Sequence, residues 1–159
     1  MLATRNLSGK SALLALFLLF AFTAAALAEV EFTTDKMRLV TTDRKVHELT
    51  VELAVDADQR EQGLMFRRSM APDHGMLFDF GETRRVMMWM KNTHLPLDML
   101  FIDNKGVVRT IRQDAVPFSE AIIDSGEPVA FVLELNAGTV KRLDVRAGDR
   151  LEGARIPGR

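Results

Sequence analysis

The stretch Val46-His47-Glu48-Leu49-Thr50-Val51-Glu52-Leu53-Ala54-Val55 decides the class of fold, because its apolar and polar residues alternate. In an extended chain, successive side chains point to opposite sides. One side here is uniformly apolar and consists of Leu49, Val51, Leu53 and Val55. The period of two therefore predicts a strand with one buried face.

A short helix is predicted directly after this strand. Asp56 is followed three residues later by Gln59, which is the spacing of a capping box at a helix N-terminus. The helix is predicted to run from Ala57 to about Leu64, with Gly63 weakening its end.

The rest of the chain shows further short strands separated by turn residues. The clearest turn is Asn104-Lys105-Gly106, which predicts a hairpin because Asn and Gly tolerate positive φ. Thr139 is expected to cap one turn of helix that ends at Leu143. The predicted strands are Gly75–Phe80, Arg85–Lys91, Leu97–Asp103, Val107–Gln113 and Pro128–Leu135. This pattern predicts a mainly β fold, a small single-domain sandwich or barrel with one or two short helices.

The first 28 residues have the features of a secretory signal. Arg5 and Lys10 precede an apolar stretch over residues 11–27, and Ala26-Leu27-Ala28 is a small-residue cleavage site. An uncleaved anchor is the alternative, because such a stretch is close to the lower length limit for a membrane span. We expect cleavage, export to the periplasm or the outside, and a single mature domain over residues 29–159, with no membrane span after cleavage.

Composition narrows the classes of partner. The chain has 21 Lys and Arg and 22 Asp and Glu, and two of the basic residues lie in the predicted signal, so 19 − 22 leaves a charge of −3. Nucleic acid is therefore not expected as a partner. Cysteine is absent, which excludes disulfides and thiolate chemistry, and the three histidines are scattered. No metal site and no cofactor are predicted.

Six polar or aromatic residues form the candidate site. In the strand 85–91, Trp89 and Lys91 share one side, and Asn92 follows at its end. Asp98 and Glu134 are carboxylates on otherwise apolar strand faces, where an unpaired charge is costly. Arg60 and Lys91 are their candidate cations. The six residues proposed to bind a ligand are Arg60, Trp89, Lys91, Asn92, Asp98 and Glu134.

Several segments together resemble domain-of-unknown-function family 192. They include Gly63-Leu64-Met65-Phe66-Arg67, Gly75-Met76-Leu77-Phe78, Trp89-Met90-Lys91-Asn92-Thr93, Pro96-Leu97-Asp98 and Val132-Leu133-Glu134. The resemblance covers residues 36 to 152 and implies a mostly β domain that is often exported. It implies no activity, substrate or cofactor. Family patterns commonly have Phe where this chain has Met88, which changes the aromatic lining of any pocket.

Three functions and one structural interpretation are compatible with these residues. The favoured function is a periplasmic or secreted module that binds an unidentified small molecule or protein near Trp89–Asn92 and Asp98. A hydrolase that uses Asp98 or Glu134 as acid or base is the second, although no catalytic motif is present. The third is copper binding through thioethers, since there are nine Met residues. Alternatively, the charges form a structural ion-pair cluster. The oligomeric state is not indicated.

Overall fold

The computed structural model describes residues 30–156, and about half of these residues lie in strands of one sheet. The two short helices are α1 (Ala57–Gln62) and α2 (Thr139–Leu143). The strands are β1 (Thr33–Val40), β2 (Val46–Ala54), β3 (His74–Met88), β4 (Leu97–Ile102), β5 (Val108–Ala115), β6 (Ile123–Asn136) and β7 (Arg150–Glu152). The predicted mainly β class is therefore confirmed.

The sheet is curled into a half-barrel. Its strand order is β5-β4-β6-β3-β2-β1-β7, and the only parallel neighbours among the described strands are β2 and β3, which α1 connects. The two outer strands approach each other: the Leu151 amide donates to the Gly106 carbonyl and the Gly148 amide to the Val108 carbonyl, each at 2.8 Å. These bonds draw the two edges of the sheet together and enclose one of its faces.

Each face of the sheet carries its own apolar cluster. One cluster includes Leu77 of β3, Leu100 of β4 and Leu135 of β6. The other includes Met76 and Met99, which are the neighbouring residues on the same strands. Because side chains alternate along a strand, both clusters come from one set of strands. The sheet is therefore buried on both sides where these strands meet.

Three local predictions are changed by the structure. Residues 75–80 and 85–91 were predicted as separate strands, but β3 runs through Gly81 with a register shift between Asp79 and Arg84. β6 begins at Ile123, before the predicted Pro128, because it stays paired with β3 past a second register shift, between Arg85 and Met87. β1 was not predicted, because only Met37 and Leu39 are fully buried in it. Two apolar residues are too few to show the apolar–polar alternation of a strand.

The helix predictions hold in part. At α1 the Asp56 carboxylate accepts from the Gln59 amide at 2.8 Å, and the Gln59 side chain accepts from the Asp56 amide, so the predicted capping box is present. At α2 Thr139 is not the cap: the N-cap is Gly138, which has no side chain to accept a hydrogen bond. No helix within residues 30–156 is long and apolar enough to cross a membrane. The predicted signal, residues 1–28, lies outside the described residues.

Candidate functional site

A cavity of about 130 Å³ lies between α1, the segment that follows it and the outer part of β3. Half of its lining residues have apolar side chains: Leu64, Met65, Phe78, Phe80, Met87, Met88 and Trp89. Arg60, Glu61 and Lys91 contribute charged groups to the lining, and Glu134 of β6 contributes a carboxyl group. Apolar walls with a few polar groups are typical of small-molecule sites.

The end of α1 fixes one wall of the cavity. The helix ends at Gly63, which has φ of +47° and whose amide donates to the Gln59 carbonyl at 2.8 Å. A Cβ atom at this position would lie 3.1 Å from the Phe78 ring, so both the backbone angle and the close approach favour glycine. This tight turn brings Leu64 and Met65 to the cavity beside Phe78.

Glu134 is the most unusual group in the lining. It is 4% exposed, and its register partners on the adjacent strands are Met76 of β3 and Met99 of β4. Within residues 30–156 its carboxyl group forms no hydrogen bond and no ion pair that meets the usual distance criteria. Burial among these apolar neighbours raises the pKa of Glu134 to about 8. The group is therefore mostly neutral at pH 7.

Arg60, a candidate partner for the carboxylates, is engaged elsewhere. Its Nη1 donates to the Val55 carbonyl at 2.5 Å and to the Asp79 carbonyl at 3.0 Å. The guanidinium carbon also lies 6.0 Å from the centre of the Phe80 ring. Arg60 therefore ties the end of β2 to the middle of β3 while it lines the cavity.

Trp89 and Lys91 lie together at the exposed side of the cavity. Trp89 is 50% exposed, and the Lys91 ammonium lies 5.2 Å from the centre of its ring. The predicted alternation is confirmed here, because Val86 and Met90 are buried whereas Met87 and Trp89 are exposed. An aromatic ring and an ammonium group thus lie together where a ligand would enter from solvent.

Asn92 lies beside the cavity but is not part of its lining. Its side-chain amide donates to the Met65 sulfur at 3.7 Å, and its carbonyl accepts from the Phe66 amide at 2.9 Å. Asn92 has a positive φ of 54°, which Asn tolerates better than most residues. Its contacts therefore position Met65, a wall residue, rather than a ligand.

Asp98 lies on the opposite face of the sheet from Glu134. Its register partner on β6 is Leu135, whereas that of Glu134 on β4 is Met99. The Asp98 carboxylate is fully buried and accepts from the Asp114 amide at 3.0 Å and the Val140 amide at 2.9 Å. It thus supplies the helix cap that Thr139 was expected to provide, and it fastens β5 beside β4.

Of the six predicted ligand-binding residues, the structure brings four to one cavity: Arg60, Trp89, Lys91 and Glu134. Ligand binding by any of the six stays a prediction. The predicted ion pairs of Asp98 and Glu134 with Arg60 or Lys91 are not formed. Sequence reasoning missed Phe78 and Phe80 as wall residues, although their spacing of two on a strand placed both on the side of Met76.

The methionines divide between core and cavity. Met76, Met90 and Met99 are fully buried in the apolar cluster, as expected for side chains that fill irregular interiors. Met65, Met87 and Met88 line the cavity. Over residues 30–156 no group of three or more His, Cys, Asp or Glu side chains is arranged to hold a metal ion. Copper binding through thioethers, one of the alternative functions, is not tested by this arrangement.

Comparison with known proteins gives a family and two similar structures. The model of DUF192, described as an uncharacterised ACR, matches residues 38–153. A crystal structure from Sinorhizobium meliloti, described as a candidate transcription regulator, has 72% identity and a TM-score of 0.79, and the match covers 80% of this chain and 99% of that one. A Novosphingobium aromaticivorans protein of unknown function has 30% identity and a TM-score of 0.72, covering 80% and 89%. No curated protein matches the chain.

Proposed function

The chain belongs to the DUF192 family, and we propose that it is a small-molecule-binding protein whose ligand occupies the cavity beside Glu134. The family description names no activity, so the proposal rests on the cavity itself. We also propose that the protein acts after export, because residues 1–28 have the features of a secretory signal.

The observation that carries this proposal is the unpaired carboxyl group of Glu134 at an apolar cavity. The Glu134 oxygens are open to the cavity, because His47 Nε2 is the only fully enclosed polar side-chain atom without a hydrogen-bond partner in residues 30–156. An unpaired carboxylate in such a place still costs free energy. Asp98 is the contrasting case, because its buried carboxylate accepts hydrogen bonds from two backbone amides. A ligand that bonds to Glu134 would supply the partner that the described residues do not.

Binding can be followed directly, because Trp89 is the only tryptophan and lines the cavity. We expect members of a fragment library to shift the Trp89 fluorescence. Native mass spectrometry of protein taken gently from its host should show a bound small molecule. Absence of bound mass, together with an unresponsive Trp89 across the library, would contradict the proposal.

A matched pair of variants tests the location of the site. Trp89→Ala and Phe66→Ala each remove a largely exposed aromatic ring, but only Trp89 lines the cavity. By calorimetry, we expect Trp89→Ala to weaken binding of a fragment about fivefold, since an aromatic contact contributes roughly 1 kcal/mol. Phe66→Ala should leave the affinity unchanged. Equal losses in both variants would place binding elsewhere.

An acid–base enzyme is the second candidate, and the raised pKa of Glu134 favours it. A general acid works best with a pKa near the working pH, and Glu134 titrates near 8. Asp98 is a poor alternative because it is fully buried and both its oxygens accept backbone hydrogen bonds. Turnover of a hydrolase substrate that is lost in Glu134→Gln and varies steeply with pH would support this function; no turnover across broad substrate panels would exclude it.

Nucleic-acid binding has less support in this chain. The description of the Sinorhizobium meliloti relative points to transcription, but the formal net charge here is −1. Several arginines near the cavity are also paired with acids: Arg67 with Glu52, and Arg84 with Glu82. A surface without a basic excess gains little from phosphate neutralisation.

A further inference from the structure

We propose that the cavity binds a small organic cation, an amine or quaternary ammonium group, with the Glu134 carboxylate as its counter-charge. This inference rests on the proposed function and names the class of ligand. It follows from the surroundings of Glu134, the chemistry of the walls, and the positions of the protein's own cations.

The first step concerns the immediate surroundings of Glu134. On the face of the sheet that it shares, β3 presents Met76 and Phe78, and β4 presents Met99. The segment after α1 adds Leu64. All of these side chains are apolar, so no described neighbour at this depth supplies a positive charge. A cation brought by a ligand would be the missing partner of the carboxylate.

The second step concerns the walls, which are aromatic rings and thioethers. Aromatic faces attract cations, and the protein's own cations already use two of the lining rings. Arg84 lies 4.8 Å from the centre of the Phe80 ring, and Lys91 lies 5.2 Å from that of Trp89. A ligand cation on its way to Glu134 would therefore compete with Lys91 for the Trp89 ring.

The third step concerns competition from these cations. Arg60 donates to two backbone carbonyls, and Arg84 forms an ion pair with Glu82 at 3.5 Å. Burial is the cause of the raised pKa of Glu134. Among residues 30–156 no Lys or Arg forms an ion pair with its carboxyl group, although Arg60 and Lys91 line the same cavity.

Cavity size limits the ligand to a small head group. An apolar cavity of roughly 150 Å³ accommodates benzene, so about 130 Å³ suits a group of about six non-hydrogen atoms. A trimethylammonium group or a short alkylammonium meets this limit. A longer ligand would extend past Trp89 into solvent.

Binding of a cation should be linked to the loss of one proton. Glu134 must ionise to pair with the ligand, and with a pKa of about 8 it is mostly protonated at neutral pH. The affinity should therefore rise about tenfold per pH unit below pH 8 and level off above it. The other ionisable groups of the lining are Arg60, Glu61 and Lys91.

The test compares choline with its neutral carbon isostere, 3,3-dimethylbutan-1-ol, by calorimetry between pH 6 and pH 9. We expect choline to bind at least tenfold more tightly than the isostere at pH 8, and to gain about tenfold in affinity from pH 6 to pH 7. In buffers of different ionisation enthalpy, close to one proton should be released per choline at pH 7. Glu134→Gln should lose the pH dependence, whereas Glu61→Gln, which removes an acid elsewhere in the lining, should keep it.

The outcomes separate this inference from the proposed function. If the isostere binds as tightly as choline, or if affinity falls as pH rises, the ligand is not a cation, while the small-molecule site survives. If neither probe nor any library fragment binds the wild-type protein, both proposals fail. The pH dependence of the wild type is informative by itself, so the test does not depend on how well Glu134→Gln folds.

Discussion

Two carboxylates, one step apart in the β4–β6 register, have opposite environments. Asp98 is fully buried and accepts two backbone hydrogen bonds, whereas Glu134 is nearly as buried and has no described partner. The carboxylate of Asp98 thus has hydrogen-bond partners, whereas burial without a partner penalises the charged form of Glu134. Asp98 is thus a structural residue, and Glu134 is the residue on which the candidate site depends.

The raised pKa of Glu134 predicts how stability varies with pH. Its pKa is about 8 in the folded protein against 4.5 for an unperturbed glutamate, so between these values the folded state binds up to one more proton than the unfolded state. The contribution of Glu134 to the free energy of unfolding should therefore fall as pH rises through this window, by up to about 5 kcal/mol in total.

Urea unfolding of wild type and Glu134→Gln at pH 5 and pH 8 tests this. The unfolding free energy of Glu134→Gln minus that of wild type should be larger at pH 8 than at pH 5. The reason is that the variant has no side-chain charge to bury at position 134. Glu48→Gln, at an exposed position on β2, is the matched control and should follow the wild type. Parallel pH profiles for wild type and Glu134→Gln would show that Glu134 titrates normally.

At the scale of elements, long-range contacts define where helices and strands end. The short α2 begins at Gly138 without a side-chain cap of its own, and Asp98 from β4 accepts from the Val140 amide instead. Ser125 acts similarly within β6: its hydroxyl accepts from the Val86 amide at 3.0 Å, where the register between β3 and β6 shifts. Side chains thus replace backbone partners at the irregular points of the sheet.

Removal of the Asp98 carboxylate should destabilise both elements that it joins. We expect Asp98→Ala to lower the free energy of unfolding by about 3 kcal/mol, since two buried amides lose their acceptor. Amide exchange should accelerate at Asp114 and Val140.

Asp144→Asn is a suitable control, because Asp144 ends the same helix but forms only an exposed ion pair with Arg146. It should change stability by less than about 0.5 kcal/mol. If Asp98→Ala is as stable as wild type but loses fragment binding, Asp98 has a functional role that its contacts do not indicate.

At the scale of the whole molecule, curling of the sheet allows a cysteine-free chain to bury two apolar clusters. Strands β3, β4 and β6 contribute residues to both clusters. Backbone hydrogen bonds between residues 106–108 and 148–151 join the two outer edges of the sheet. The backbone groups that form these bonds are therefore not exposed as an unpaired strand edge. Packing can therefore provide the stability for which many exported domains of this size use disulfides.

The predicted export signal leads to a test on the intact protein. We expect the mature protein to begin at Glu29, since cleavage after Ala28 fits the signal pattern. The first described contacts with the fold lie beyond this point: the Gln59 side chain donates to the Glu31 carbonyl, and Arg67 lies 5.4 Å from the Phe32 ring. Cleavage would leave them intact.

Mass spectrometry of protein from the periplasmic or extracellular fraction should show residues 29–159, and Ala28→Lys should accumulate as precursor. Ala24→Ser, a small substitution before the cleavage motif, is the control that should still be processed. A full-length mass in the wild type would favour the retained anchor.

In the strands that it predicts, the sequence by itself determined which side each residue faces. Alternation identified β2, the exposed side of residues 85–91, and Asp98 and Glu134 as carboxylates on apolar faces, because these patterns depend only on neighbours along the chain. The sequence did not predict β1, because β1 has only two fully buried residues. Its strand conformation depends on pairing with β2.

Only the tertiary structure decided which residues of neighbouring strands lie on the same face of the sheet. Met99, not Asp98, pairs with Glu134, and a slip of one residue would have put both carboxylates on the same face. The register follows from packing across the sheet, which no single strand encodes. For that reason the sequence indicated the residues Trp89, Lys91 and Glu134, whereas the fold alone separated the structural carboxylate from the one that faces the cavity.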